Sequence, residues 1–204
     1  MIWIFGDSFS EPFSKIIYRP YITHKGYTPK QYYNHFGEEL NMDYINTAKG
    51  GNSNEFIFYE FINQYKNIMD GDYVIFGWSE MTRFEYVDTK ENRWRSSTQI
   101  ATVHSLSENT INEIKVNRDH PLYVKQFCDR IPFINDILKG KKVIHWSWVN
   151  HEPHYSIETE TNGIIKDGHY GEYGHRELYK ILSQGIKDKD TFTYNIPICN
   201  RTMI

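Results

Sequence analysis

Two cysteines in 204 residues, Cys128 and Cys199, are too few and too far apart for a disulfide framework or a C-x-x-C metal or redox motif. Both read as free thiols in apolar surroundings. Long hydrophobic runs are also missing: no stretch approaches the roughly 20 apolar residues that a membrane helix needs. The opening Met1-Ile2-Trp3-Ile4-Phe5 lacks the positive flank, longer apolar region and cleavage site of a secretory signal. The chain therefore reads as cytoplasmic or otherwise soluble, without a signal peptide and without a membrane partner. Positive charge is not in excess either, since 23 Lys and Arg stand against 26 Asp and Glu for a net charge of -3. Without an overall basic field, nucleic acid is excluded as the main partner. Repeats, low-complexity tracts and linkers are absent, and the length suits one domain over residues 1–204.

The composition is otherwise that of a globular protein, 39% hydrophobic and 24% charged, with a high aromatic share of 16%. Residues 2–5 form a short continuous apolar run stopped by Gly6-Asp7-Ser8, the pattern of a strand buried on both faces. Similar runs occupy 44–48, 73–76 and 143–148, each bounded by turn-forming residues. Between them lie helical patterns. Residues 29–40 open with Thr28 as N-cap and Pro29 at the first helical position, and 54–69 place Phe56, Tyr59, Ile62, Tyr65 and Met69 at helical spacing. Further helices are expected over 121–138 and 172–184, and an edge strand over 191–196 stopped by Pro197. Alternation of this kind predicts an α/β fold with a mainly parallel sheet, helices on both faces, and a site at the carboxyl ends of the strands. Residues 81–120, polar, turn-rich and carrying Arg83, Arg93, Trp94 and Arg95, interrupt the rhythm as an insertion or lid.

Four segments fall where such a site would be built. Ser8 directly follows the first strand, in a turn that Gly6 makes possible, and a serine held rigidly at a strand end is the form a nucleophile takes. Asn46-Thr47-Ala48-Lys49-Gly50-Gly51-Asn52-Ser53-Asn54 links the second strand to a helix and aims backbone N–H groups into the same cleft. Gly77-Trp78-Ser79-Glu80 ends the third strand. Asp167-Gly168-His169 occupies a polar loop before the last helix, pairing a carboxylate with an imidazole whose tautomer it would fix. Each segment alone is equally well a turn or a helix cap, because turns favour these residue types.

Taken together and in this order, the segments resemble the blocks of the SGNH (GDSL-like) hydrolases. That pattern comprises a Gly-Asp-Ser nucleophile block, an Asn-x-Ala-x-x-Gly-like block, a Gly-x-Asn-Asp block and a C-terminal Asp and His pair. The likeness runs from Ile2 to about Leu182, with 81–120 and the tail outside it. It implies a three-layer, flavodoxin-like α/β/α sandwich, a catalytic triad of Ser8, His169 and Asp167, and no cofactor. It also implies an oxyanion hole built on the N–H groups of Ser8 and Gly51. The chain departs from the family in having Ser79 where the third oxyanion donor is usually asparagine, followed by Glu80, and in separating acid and base by one residue. Loss of one oxyanion donor typically costs roughly 100- to 1000-fold in turnover. The Ser79 hydroxyl, the Asn54 side chain and Arg83 are the groups able to fill in, and Arg83 and Trp78 are read as substrate-binding residues.

The activity so implied is hydrolysis of an acyl ester, with a short acyl group such as acetyl favoured and a small molecule or glycan as its carrier. Transfer of the acyl group to a sugar instead of water is a variant of the same chemistry. A second class of function is an SGNH-fold carbohydrate-binding or structural module with little catalysis, using Trp146, Trp148 and the aromatic and arginine residues of 81–120. The nine histidines include His145, His151, His154, His169 and His175 in the last third, but no H-E-x-x-H or comparable spacing occurs, and no metal ligand set is read from them. His175, a rival for the base, lies one turn inside a helix, where packing is its expected role.

Overall fold

The computed structural model describes residues 1–13, 22, 26–81, 83–88, 93–97, 121–149 and 170–196. Five strands, β1 (Ile2–Gly6), β2 (Tyr44–Asn46), β3 (Tyr73–Trp78), β6 (Lys142–Ser147) and β7 (Thr191–Tyr194), form one sheet in the order β2-β1-β3-β6-β7. All four pairings in it are parallel. The remaining two strands, β4 (Phe84–Asp88) and β5 (Arg93–Ser97), make a separate antiparallel pair. Part of the region expected to be an insertion or lid therefore forms a two-stranded antiparallel sheet; residues 82, 89–92 and 98–120 lie outside the described residues.

Alternation along the strands sends side chains to two cores. Trp3 and Phe5 of β1, Val74, Phe76 and Trp78 of β3 and Val143 of β6 pack with Ile57 and Phe61 of α2 (Asn54–Gln64) and Phe127, Ile131 and Ile134 of α3 (Pro121–Ile137). On the opposite face Ile2, Ile4, Ile75, Ile144 and Trp146 pack with Tyr32, Tyr33 and Phe36 of α1 (Tyr32–Leu40). Leu178, Leu182 and Ile186 of α4 (Glu172–Ile186) complete that layer. The result is the three-layer α/β/α sandwich expected from the alternation of strand and helix.

Two helix readings are corrected. The first helix begins at Tyr32 and not at Pro29, with Gln31 as its N-cap. The reason is tertiary: the Gln31 side chain donates to the Glu11 carbonyl at 2.7 Å and accepts from the Phe13 N–H at 3.1 Å, which holds the chain extended up to that point. The second helix is capped by Ser53, whose Oγ accepts from the Phe56 N–H, but it buries Asn54, Ile57 and Phe61. Tyr59 and Met69, expected on the inner stripe, are 59% and 67% exposed. Aromatic and aliphatic residues surround this helix, so period alone does not choose a face. A 3-10 turn at Tyr65–Asn67 ends it and delivers Ile68 to the core in place of Met69. Cys128 is a free, half-buried thiol packed on that core, and Cys199 lies outside the described residues.

A titratable side chain packs against the first core. His145 is fully buried, stacked on Phe76 at 5.0 Å and on Trp78 at 6.0 Å. The Trp78 indole donates to its Nδ1 at 3.1 Å, which leaves the proton on Nε2, 3.0 Å from Asn135 Oδ1. Burial pushes the imidazole pKa from 6.5 down to about 3, so the ring is neutral. The unfolded chain takes up this proton near pH 6.5 and the folded chain only near 3. His145 therefore contributes stability that is fully present above the unfolded value and is lost as pH falls through the window between the two. Burial lowers the His35 pKa too, which adds in the same direction. Urea denaturation between about pH 7 and about pH 4 should show a loss on the order of 3 kcal/mol from His145. A His145→Asn variant should have a flatter slope; identical slopes in the two proteins would refute this account.

Candidate active site

The strand order places β2 on one side of β1 and β3 on the other, so the chain switches direction between β1 and β3. A crevice opens at the carboxyl ends of strands at such a switch point. Ser8 lies there. The Asp7 carbonyl accepts from the N–H groups of Ser10 at 3.0 Å and Glu11 at 2.9 Å, and Asp7 Oδ1 accepts from the Phe9 N–H at 3.0 Å. This tight reversal leaves Ser8 half-buried between the buried Asp7 and Phe9. Ser10 turns inward, bonded to the Tyr32 hydroxyl at 2.9 Å, and occupies a hollow above two glycines that face each other in register, Gly6 and Gly77. A Cβ on Gly77 would stand 2.5 Å from Ser10 Oγ, and one on Gly6 2.7 Å from it.

Asp7 is fully buried, and its charge is met. Oδ2 accepts from Arg83 Nη1 at 2.8 Å and from Trp148 Nε1 at 2.7 Å. The Arg83 guanidinium lies 5.4 Å from the Trp148 ring, which stacks on Phe9 at 4.5 Å with planes 14° apart. Arg83, read from sequence as a substrate or oxyanion ligand, thus directs Nη1 to Asp7. Asp7 and Trp148 were not singled out for such a role; their separation of 141 residues leaves no signal in the sequence.

The glycine block folds against the same turn. The Lys49 N–H and the Asn52 side chain both donate to the Gly6 carbonyl, at 3.2 and 3.0 Å, and Asn46 Nδ2 donates to the Ser10 carbonyl at 2.7 Å. Gly51 is buried with φ of 82°, a conformation that favours glycine. A Cβ on Gly50 would meet Glu11 Oε2 at 2.7 Å. The structure therefore brings the Ser8 turn and the Gly51 block together.

At the end of β3, Asn54 and Ser79 are bonded to each other. The Ser79 N–H donates to Asn54 Oδ1 at 2.8 Å, and Asn54 Nδ2 donates to the Ser79 carbonyl at 3.0 Å. The Asn54 amide thus joins the start of α2 to the end of β3. The Ser79 hydroxyl is buried and has no hydrogen-bond partner among the described residues. Ser79 also lines a cavity of about 30 Å3 with Trp78, Met81, Phe127, Val149 and Ile196. Trp78, read as a substrate contact, is 1% exposed and belongs to the core. Trp146 is fully buried, which removes it from the aromatic residues available for stacking on a sugar.

Asp167 and His169 lie outside the described residues, as do His151, His154 and Pro197. Tyr170, the residue after His169, packs edge-on against Phe9, the residue after Ser8, with centroids 5.0 Å apart. His175 is buried in the first turn of α4 among Phe13, Tyr32 and Tyr170. Among the described residues no three His, Cys, Asp or Glu side chains converge, and no helix is long and apolar enough to cross a membrane. Compared with known proteins, the chain matches no family model and no curated protein.

The hollow that receives Ser10 makes Gly77 a sensitive position. Gly77→Ala should destabilise the protein by about 1–3 kcal/mol in urea denaturation, the usual range for overpacking. A change within error would mean that the Ser10 turn yields freely.

Proposed function

We propose that this protein is a serine hydrolase of the SGNH type that cleaves short-chain acyl esters, with Ser8 as nucleophile, His169 as base and Asp167 orienting the imidazole. The observation that carries this reading is the placement of Ser8 on a tight turn at the β1–β3 switch point, with the Gly51 block folded against it. The packing of Tyr170 on Phe9 supports it from the other end of the chain, since these residues directly follow His169 and Ser8. In the reaction, Ser8 Oγ attacks the ester carbonyl carbon while His169 takes its proton. The N–H groups of Ser8 and Gly51 hold the oxyanion, and His169 then protonates the departing alcohol. Water, activated by the same imidazole, releases the acyl group as a carboxylic acid. The chemistry calls for no cofactor.

Of the groups able to replace the family's third oxyanion donor, the buried Ser79 hydroxyl, without a partner among the described residues, is favoured. Asn54 is bonded to Ser79 and Met81, and Arg83 to Asp7. A short acyl group such as acetyl is the one the sequence favours, since the chain has no long apolar lid to cover a lipid chain. The acyl carrier is a small molecule or a glycan.

Incubation with a fluorophosphonate probe should label the wild-type protein at Ser8 alone. Turnover of p-nitrophenyl acetate should exceed that of the octanoate, and should fall by roughly 1000-fold or more in Ser8→Ala and His169→Ala. A folded wild-type protein that neither labels nor turns over would overturn the hydrolase reading and make glycan binding the next assay.

A further inference from the structure

We propose that Arg83 and Trp148 are positioning residues, which set the geometry of the Ser8 turn by holding Asp7, so that this turn and the base of the β4–β5 hairpin form one unit. The proposal rests on the reading of Ser8 as the nucleophile. Neither residue belongs to the triad or the oxyanion hole, yet both converge on Asp7, whose side chain lies within the turn. Asp7 Oδ2 takes the two long-range donors, and Oδ1 takes the Phe9 N–H, the peptide group that directly follows Ser8. Trp148 also covers the Phe9 ring, so the neighbours of Ser8 on both sides are held by the same indole. Arg83 immediately precedes β4, and a shift of the hairpin base would reach the turn through a salt bridge of 2.8 Å.

The turn has its own backbone hydrogen bonds from Ser10 and Glu11 to Asp7, which suffice to close it. The buried ion pair adds orientation: the carboxylate must face Arg83 and Trp148 together, and this selects one rotation of the peptides around Ser8. Apolar replacements for buried ion pairs are commonly as stable as the pair, so stability alone gives little reason for a charge at this position. Misplacing a reacting group by about 1 Å costs roughly 100-fold in rate, whereas substrate affinity depends on it far less.

Two measurements on Trp148→Phe, Arg83→Lys, Arg83→Met and the double variant Asp7→Asn/Arg83→Met test this. Trp148→Phe keeps the ring on Phe9 and removes only the N–H. The double variant removes both charges and so avoids a buried unpaired carboxylate if Arg83→Met fails to fold. The first measurement is hydrogen–deuterium exchange of a peptide spanning 7–11. It should rise by about tenfold in Trp148→Phe and in whichever Arg83→Met form folds, with the peptide spanning β6 unchanged. The second is the rate of fluorophosphonate labelling and p-nitrophenyl acetate turnover. The value of kcat should fall about 100-fold in the Arg83→Met forms with KM within about threefold, and Arg83→Lys should recover part of it. Unchanged exchange in the turn overturns the proposal, as does faster exchange with an unchanged labelling rate. A wild-type protein that is not labelled at all refutes the hydrolase reading and with it the catalytic half of the proposal, while the exchange data still decide whether the clamp holds the turn.

Discussion

A carboxylate taken fully out of water must be given partners, and Asp7 obtains them from two distant parts of the chain. Desolvation makes that requirement stringent: removing one partner of a buried pair leaves an uncompensated charge, typically at a cost of about 3–5 kcal/mol. Asp7 therefore ties the end of β1 to the segment after β3 through Arg83 and to the segment after β6 through Trp148. These are the ends of three neighbouring strands at the carboxyl edge of the sheet. The aromatic character of the chain serves the same point, since Trp148 both donates to Asp7 and covers Phe9.

Below this edge the sheet is held by packing. Two apolar cores on its faces are filled by large, fully buried rings, among them Phe5, Phe61, Phe76, Trp78 and Trp146. In the first of these cores His145 stays neutral because burial opposes the charged form, while both of its ring nitrogens have partners. The aromatic stack running from Phe5 through Phe76 to Trp78 reaches the carboxyl edge at Ser79. Trp78 and Ser79 line the small cavity there.

Several features of the site were legible from local sequence. Ser8 after an apolar strand, the glycine block before a capped helix and the Gly77-Trp78-Ser79 strand end are all governed by contacts within a few residues. Each stands at the strand end where it was expected. Other assignments needed the fold. Trp78 and Arg83 looked like ligands because an indole and a guanidinium next to a strand end suit that role. The one faces the core and the other faces Asp7, since the side of the sheet and the identity of a partner 76 residues away are long-range properties. Asn54 of the glycine block was named as one of the groups able to replace the third oxyanion donor and is bonded to Ser79.

By itself the sequence determined the class of fold. Continuous apolar runs of strand length alternating with helical patterns leave a parallel sheet covered on both faces as the arrangement that buries them, and that arrangement depends on composition averaged over whole elements. Only the tertiary structure decided the order β2-β1-β3-β6-β7, the start of α1 at Tyr32, the buried face of α2 and the partners of Asp7. These choices turn on contacts between residues far apart in the chain. Local periodicity and turn chemistry do not encode such contacts, because the energy of each exists only once the other partner is in place.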